Sequence, residues 1–165
     1  MKKILVIIAI SLFCCNNKEN KKANKVLFDK KYVDIHKAAA EFVKSNTMNS
    51  NFYYLLDLGI HSGKYRFFIY DFKKDSIVDK GLVTHGSCDK FESNPDKWEK
   101  VKFSDLEDSH CSSIGKYKIG KRDYSSWGIH VKYWLHGLET TNKSAAKRVV
   151  VLHSWDAVKN EEVFP

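Results

Sequence analysis

Proline is nearly absent from this chain. Only Pro95 and Pro165 occur in 165 residues, so no proline-rich linker divides it. No internal repeat or low-complexity stretch is present either, and the length fits one domain. Long apolar runs are also missing. The longest uncharged one, Ile4–Phe13, is about half of the roughly 20 residues that a membrane-spanning helix needs. There is no G-x-S-x-G of a hydrolase elbow, no phosphate-binding loop, no H-E-x-x-H and no nucleic-acid-binding motif. What is present is a hydrophobic content of 43% with 13% aromatics, enough for a packed core.

The N-terminus is built differently from the rest. Lys2 and Lys3 precede the apolar run, Cys14 and Cys15 end it, and the polar stretch NNKENKKANK follows. Charged residues before a short apolar segment fit an export signal. A cysteine directly after it resembles a bacterial lipoprotein signal over residues 1–15. Cys15 is the expected lipidation site, with Leu12 three positions before it, although Phe13 and Cys14 are not the small residues usual there. Lipid at Cys15 would hold the domain at a membrane in the cell envelope, facing the periplasm, since each buried methylene contributes about 0.8 kcal/mol. Residues 16–31, including the lysine-rich run 18–25, read as a flexible tether. Loss of Lys2 and Lys3 with the leader lowers the net charge from +8 to +6. A positive surface suits an anionic partner such as wall polymer or lipid headgroups; its plainer meaning is a solvated lysine-rich surface.

Beyond residue 31 the pattern becomes that of a folded domain. YVDIHKAAAEFVKSN, 32–46, places Val33, Ala40, Phe42 and Val43 near one face, and its alanines favour a helix. Residues 51–59 read as a strand ending at Gly59. KYRFFIYDF, 64–72, and IVDKGLVTHG, 77–86, are rich in aromatic and β-branched residues and read as a β-hairpin across KKDS. Residues 87–108 read as a loop. Residues 113–120 and 125–138 alternate apolar and polar positions as strands do. TNKSAAKR, 141–148, reads as a helical turn, and VVVLHSW, 149–155, as a strand buried on both faces. The expected fold class is mainly β with a helical preface over 32–165.

Seven histidines are present. His36 falls inside the helix, and His130 and His136 lie six apart on one expected strand without a zinc-type spacing. His153 differs, because it ends an apolar strand, where rigid scaffold meets solvent and a base is held well. Imidazole titrates near neutral pH and can take a proton from a thiol. Cys88 and Cys111 are candidates for a disulfide outside the cytoplasm. With His110 and a further histidine they are alternatively candidates for a metal site.

Four segments occur in an order that resembles the murein L,D-transpeptidase family, the YkuD-type catalytic domain. YRFFIYDFKKDSIVDKGLVTHGS leads to Val83-Thr84-His85-Gly86, in place of that family's V-x-x-G. Ser112-Ser113-Ile114-Gly115-Lys116-Tyr117 stands for T-P-x-G-x-F/Y, without the proline. WGIHVKYWLHGLE follows, and then Val149–Ser154 stands for I-x-I-H-G, with Ser154 replacing glycine. The resemblance covers about residues 50–165. It implies a β-sandwich in which a cysteine attacks the carbonyl before the terminal D-alanine of a peptidoglycan stem tetrapeptide. It implies His153 as the general base, and Gly86, Ser113, Gly115, Tyr117 and Ser154 as substrate-binding residues. No cofactor, resident metal or nucleic acid is implied; the partner is the stem peptide.

The family nucleophile sits in an S-x-G-C segment about fifteen to twenty-five residues after the histidine. Only twelve residues follow His153, and none is cysteine. The expectation is therefore a C-terminally incomplete catalytic domain lacking its nucleophile, with Cys111 or Cys88 as substitutes only if either lies close to His153. The alternative is a catalytically inactive wall-binding or structural envelope lipoprotein.

Overall fold

A computed structural model describes residues 16–89 and 101–163. The proposed leader 1–15, Cys15 included, and the centre of the expected 87–108 loop lie outside the described residues. The described residues fall into two compact units, one of 16–53 with 71–76 and the other of 54–70 with 77–163.

The first unit holds a single helix, α1, Asn16–Ser45. It includes the expected helix but begins sixteen residues earlier, so residues 16–31 are helical rather than a flexible tether. From Asn16 to Ser45 there is no proline and no glycine, and lysine, alanine and leucine cost a helical backbone little. Charge alone, which marked this stretch as a tether, does not oppose helix formation. In the C-terminal half of α1, Tyr32 and His36 are buried. The Tyr53 hydroxyl is hydrogen-bonded to His36 Nδ1, and the Tyr53 ring lies 5.3 Å from Phe72. The helix closes when Met48 N–H donates to Val43 O at 3.1 Å, with Thr47 in the left-handed region at φ 50°. A bond of that span around a left-handed residue is a Schellman stop.

The second unit is β, and residues 52–53, 71 and 76 at strand ends are counted with the first. Strands β1, Phe52–Leu56, β2, Phe67–Asp71, and β3, Ser76–Gly81, form one antiparallel sheet in the order β1-β2-β3. β2 is the central strand, and its alternation is visible in burial: Phe68 and Tyr70 are buried while their neighbours are half-exposed. The hairpin expected over 64–86 is thus present with shorter strands. The other sheet has the order β4-β5-β6, from Tyr117–Tyr124, Val131–Gly137 and Val151–His153. β4 and β5 pair antiparallel from Tyr117↔Gly137 to Tyr124↔Val131, with a bulge between Ile119 and Arg122. His130 does not share a strand with His136; it sits in the preceding turn at φ 58° and stacks on Tyr124.

β6 corrects the expected buried strand over 149–155. It has three residues and, among the described residues, pairs with β5 alone. Val149 is 55% exposed and His153 is exposed. The reason lies just upstream. The expected turn over 141–148 is there, closed by Arg148 N–H to Ser144 O at 2.9 Å. It ends in a second Schellman stop, with Val150 N–H donating to Ala145 O and Val149 N–H to Ala146 O. Val149 therefore occupies the left-handed position, at φ 59°, and the valine run is split between cap and strand.

Two buried side chains fasten this unit. Asn142 is completely buried; its Oδ1 accepts Glu139 N–H at 2.9 Å and its Nδ2 donates to Lys116 O at 2.8 Å. Arg148 reaches the carbonyls of Ser104 at 3.0 Å and Cys111 at 2.6 Å, with Asp105 Oδ1 at 3.4 Å. Cys88 and Cys111 are joined by a disulfide, with Cα atoms 4.3 Å apart.

Two measurements test this fold. Valine at a left-handed position costs about 1–2 kcal/mol relative to glycine, and an exposed valine has little packing to lose. Val149→Gly is expected to stabilise the domain by about 1 kcal/mol, raising Tm by about 2–4 °C in thermal unfolding. A lowered Tm would show that Val149 packs more than its exposure indicates. The second concerns acid. The Lys116 ammonium, and then the Lys116 N–H, hold the Glu139 carboxyl below its ordinary value. A depressed carboxyl stabilises the fold above the ordinary glutamate value, about 4.3. That contribution is lost as pH falls through the lower folded value. Melting curves between pH 7 and pH 3 should fall less steeply at the acid end in Glu139→Gln; parallel curves would contradict the assignment.

Candidate active site

His153, the last residue of β6, stands on the wall of a groove of about 310 Å3. One side is Lys80–Thr84, which leaves β3. The other is His153–Trp155 with Val158–Asn160. Leu82, Val83, Trp155 and Val158 make it partly apolar, and its lysines and His153 give it basic groups without a lining carboxylate.

The histidine is oriented by its own backbone. Its Nδ1 lies 2.9 Å from the Ser154 carbonyl oxygen. A carbonyl only accepts, so Nδ1 carries a proton, and in the neutral imidazole the lone pair is on Nε2. An imidazole in that tautomer can take a proton at Nε2 from a thiol, water or amine within reach. Ser154, expected to bind substrate, has a second engagement: its hydroxyl accepts the Ile129 N–H at 2.9 Å. Gly128, at φ 53°, lies so close to Ser154 that a Cβ there would collide with the Ser154 hydroxyl and carbonyl oxygens. The turn between β4 and β5 thus buttresses the segment that carries His153.

The opposite wall is fixed by Arg66. This side chain is 1% exposed, and no carboxylate pairs with it among the described residues. Nε and Nη2 donate to Val83 O at 2.9 and 2.7 Å, Nη1 to Ile60 O at 3.1 Å, and Nη2 to His85 Nδ1 at 2.9 Å. Burial pushes its guanidinium below the ordinary arginine value. A buried guanidinium is costly, and these four bonds offset that cost while positioning Val83 and His85.

The other expected substrate-binding residues lie elsewhere in the same unit. Gly86 donates its N–H to Ser112 Oγ at 2.9 Å, and a Cβ there would collide with the backbone of His110–Ser112. Ser113 is buried; Tyr117 donates its hydroxyl to Ser113 O at 2.7 Å. Gly115, at φ 130°, lies against Glu139 and Asn142. The structure therefore brings Val83, Thr84, His153 and Ser154 together in one groove, and Gly86, Ser113, Gly115 and Tyr117 are not among its lining residues. Trp155, Val158, Lys159 and Lys80 were not singled out from sequence. The adjacency of Trp155 to His153 was the one available signal, since a large aromatic beside a strand-end histidine must face either core or site.

Neither Cys88 nor Cys111 is a free thiol, because they are bonded to each other. That removes both as substitute nucleophiles in the oxidised protein, and as thiolate ligands of a metal. Among the described residues no group of three histidine, cysteine or acidic side chains is placed to hold a metal ion. Nor, among them, is any helix long and apolar enough to cross a membrane.

Residues 19–164 match the family of L,D-transpeptidase catalytic domains. No curated protein and no solved structure matches the chain. The family match spans α1 beyond its first turn, both sheets, the groove and His153, and the mainly-β fold accords with it. The chain belongs to the YkuD-type L,D-transpeptidase catalytic domain family.

Proposed function

We propose that this domain acts on peptidoglycan stem peptides by cysteine–histidine acyl transfer, with His153 as the general base. The observation that carries the reading is the Nδ1–H to Ser154 carbonyl bond on the groove wall, which in the neutral imidazole assigns the lone pair to Nε2. In the proposed reaction His153 takes the proton of a thiol. The thiolate attacks the carbonyl before the terminal D-alanine, the amine of D-alanine leaves with a proton returned by His153, and a thioester remains. An amine of a neighbouring stem, or water, then takes the acyl group. The proposed thiol is neither Cys88 nor Cys111 in the oxidised protein, since these two are paired. We place the domain in the cell envelope, tethered through lipid on Cys15.

The disulfide favours one second reading, a wall-binding envelope lipoprotein without catalysis, because it removes both domain cysteines from thiol chemistry. Sequencing the reading frame past codon 165 and expressing its continuation separates the two. A continued chain carrying the expected cysteine should form a covalent adduct with a carbapenem, read by intact mass. His153→Ala should slow that acylation by about 10²–10⁴-fold. A continuation without cysteine and without adduct sinks the enzymatic reading, and cosedimentation with purified sacculi then decides for binding. An adduct at Cys88 or Cys111 of the 165-residue chain would overturn the exclusion of those two cysteines.

A further inference from the structure

We propose that Trp127 and Trp155 form a stacking platform for a carbohydrate ring, so that the domain holds a sugar of the glycan strand beside the groove. The identity of that sugar rests on the groove being the stem-peptide site; the platform itself adds a second ligand class with its own residues. Trp127 is 56% exposed, Trp155 44% and Ile129 74%. Large apolar side chains left together in water mark a binding site. The two indole rings lie 6.1 Å apart and nearly perpendicular, at 80°. An edge-to-face pair leaves each ring at least one face that its partner does not cover.

The backbone holds these side chains in the open. Ser125 is buried; its N–H donates to His130 O at 3.2 Å and its hydroxyl accepts the Trp127 N–H at 3.1 Å. The His130 N–H donates back to Trp127 O at 3.0 Å. The Ile129 N–H reaches the Ser154 hydroxyl, and Gly128 lies against Ser154. The turn that carries Trp127 is thus fixed to the segment that carries Trp155. A platform whose two halves are already locked loses little freedom when a ligand lands on it.

Area, charge and place select the occupant. A whole aromatic side chain offers about 150–250 Å2, and these two are half covered already. A stable protein interface takes about 800 Å2 from each partner, so the patch fits a ring rather than a protein. The segments 124–131 and 153–158 contain no lysine or arginine and one acid, Asp156, in a chain of net charge +8. An anionic headgroup surface finds no cation there. A neutral pyranose needs none: its C–H face packs on an indole face and its hydroxyls stay in water. Trp155 also lines the groove, so a ring on the platform lies beside a peptide in the groove, as in a polymer whose peptides hang from its sugars.

The test follows the indole N–H signals of the 15N-labelled 165-residue protein by NMR with three probes: an N-acetylglucosamine tetramer, a stem tetrapeptide, and that tetrapeptide on its disaccharide. The sugar tetramer should move the Trp127 and Trp155 signals and leave that of Trp134, whose N–H is bonded to Asp123. The disaccharide–peptide should bind about tenfold more tightly than the peptide alone, the effect of one or two aromatic contacts. Trp127→Ala should abolish that margin with peptide affinity and thermal melt unchanged, and Trp127→Tyr should keep most of it. Equal affinity of peptide and disaccharide–peptide overturns the platform while the stem-peptide reading stands, as does a margin that survives Trp127→Ala. Binding of the sugar tetramer at Trp127 without binding of the peptide supports the platform and removes the stem-peptide reading. Binding of neither sugar probe overturns the platform, and Trp127-dependent binding to phosphatidylglycerol vesicles would then assign the patch to a membrane.

Discussion

Long stretches of this domain run without a neighbouring strand, and their backbone groups must still find partners. Residues 82–89 and 101–116 hold almost no ladder, yet parts of them are buried. A buried carbonyl without a donor costs free energy comparable to a lost hydrogen bond. Two guanidiniums meet that need. Arg66 spends three of its four bonds on Val83 and Ile60 carbonyls, and Arg148 gathers the carbonyls of Ser104 and Cys111. Arginine suits the task because its rigid fork of five donors reaches several acceptors at once. Their contributions differ in kind: Arg148 has Asp105 beside it at 3.4 Å, whereas Arg66 relies on carbonyl dipoles and His85 alone.

The site inherits its geometry from that arrangement. One groove wall is a strand exit held by Arg66. The other is a three-residue edge strand supported by the turn before β5, through Ser154 and Gly128. Neither wall is a long regular element, so backbone-directed side chains fix the positions of the groove residues. The Cys88–Cys111 disulfide and the Arg148 cluster meet at Cys111, whose carbonyl accepts from Arg148 and whose sulfur is bonded to Cys88. The loop containing Ser112 and Ser113 is thus anchored twice.

Much of the fold was legible in the residues. The hairpin of β2 and β3 showed itself through aromatic and β-branched runs around KKDS. β4 and β5 showed themselves through alternation, and α1 through its alanines. The family was legible from the order of four short segments, each weak alone. What escaped has physical causes. Residues 16–31 look like a tether because lysine and asparagine signal solvation, but solvation does not prevent a helix. VVVLHSW looks buried because an apolar run cannot reveal that its first residue is a left-handed cap. Arg66 and Arg148 were invisible as fasteners, since periodicity treats a charge as surface. The apolar half of the groove was hidden too, because Trp155 and Val158 meet Leu82 and Val83 only across about seventy residues of chain.

The short third strand of the second sheet has a consequence for its histidine. Side chains of a strand alternate with a period of two, so sliding the pairing by one residue exchanges its faces. A strand of three residues carries little pairing energy with which to resist such a slide. The stop at Val149 sets its phase: the residue count from the last turn of the preceding segment to Val151 is locked by bonds at both Val149 and Val150. Leu152 and His153 cannot trade places while those bonds persist. The face that His153 presents is in this sense kept in frame by an awkward valine four residues upstream.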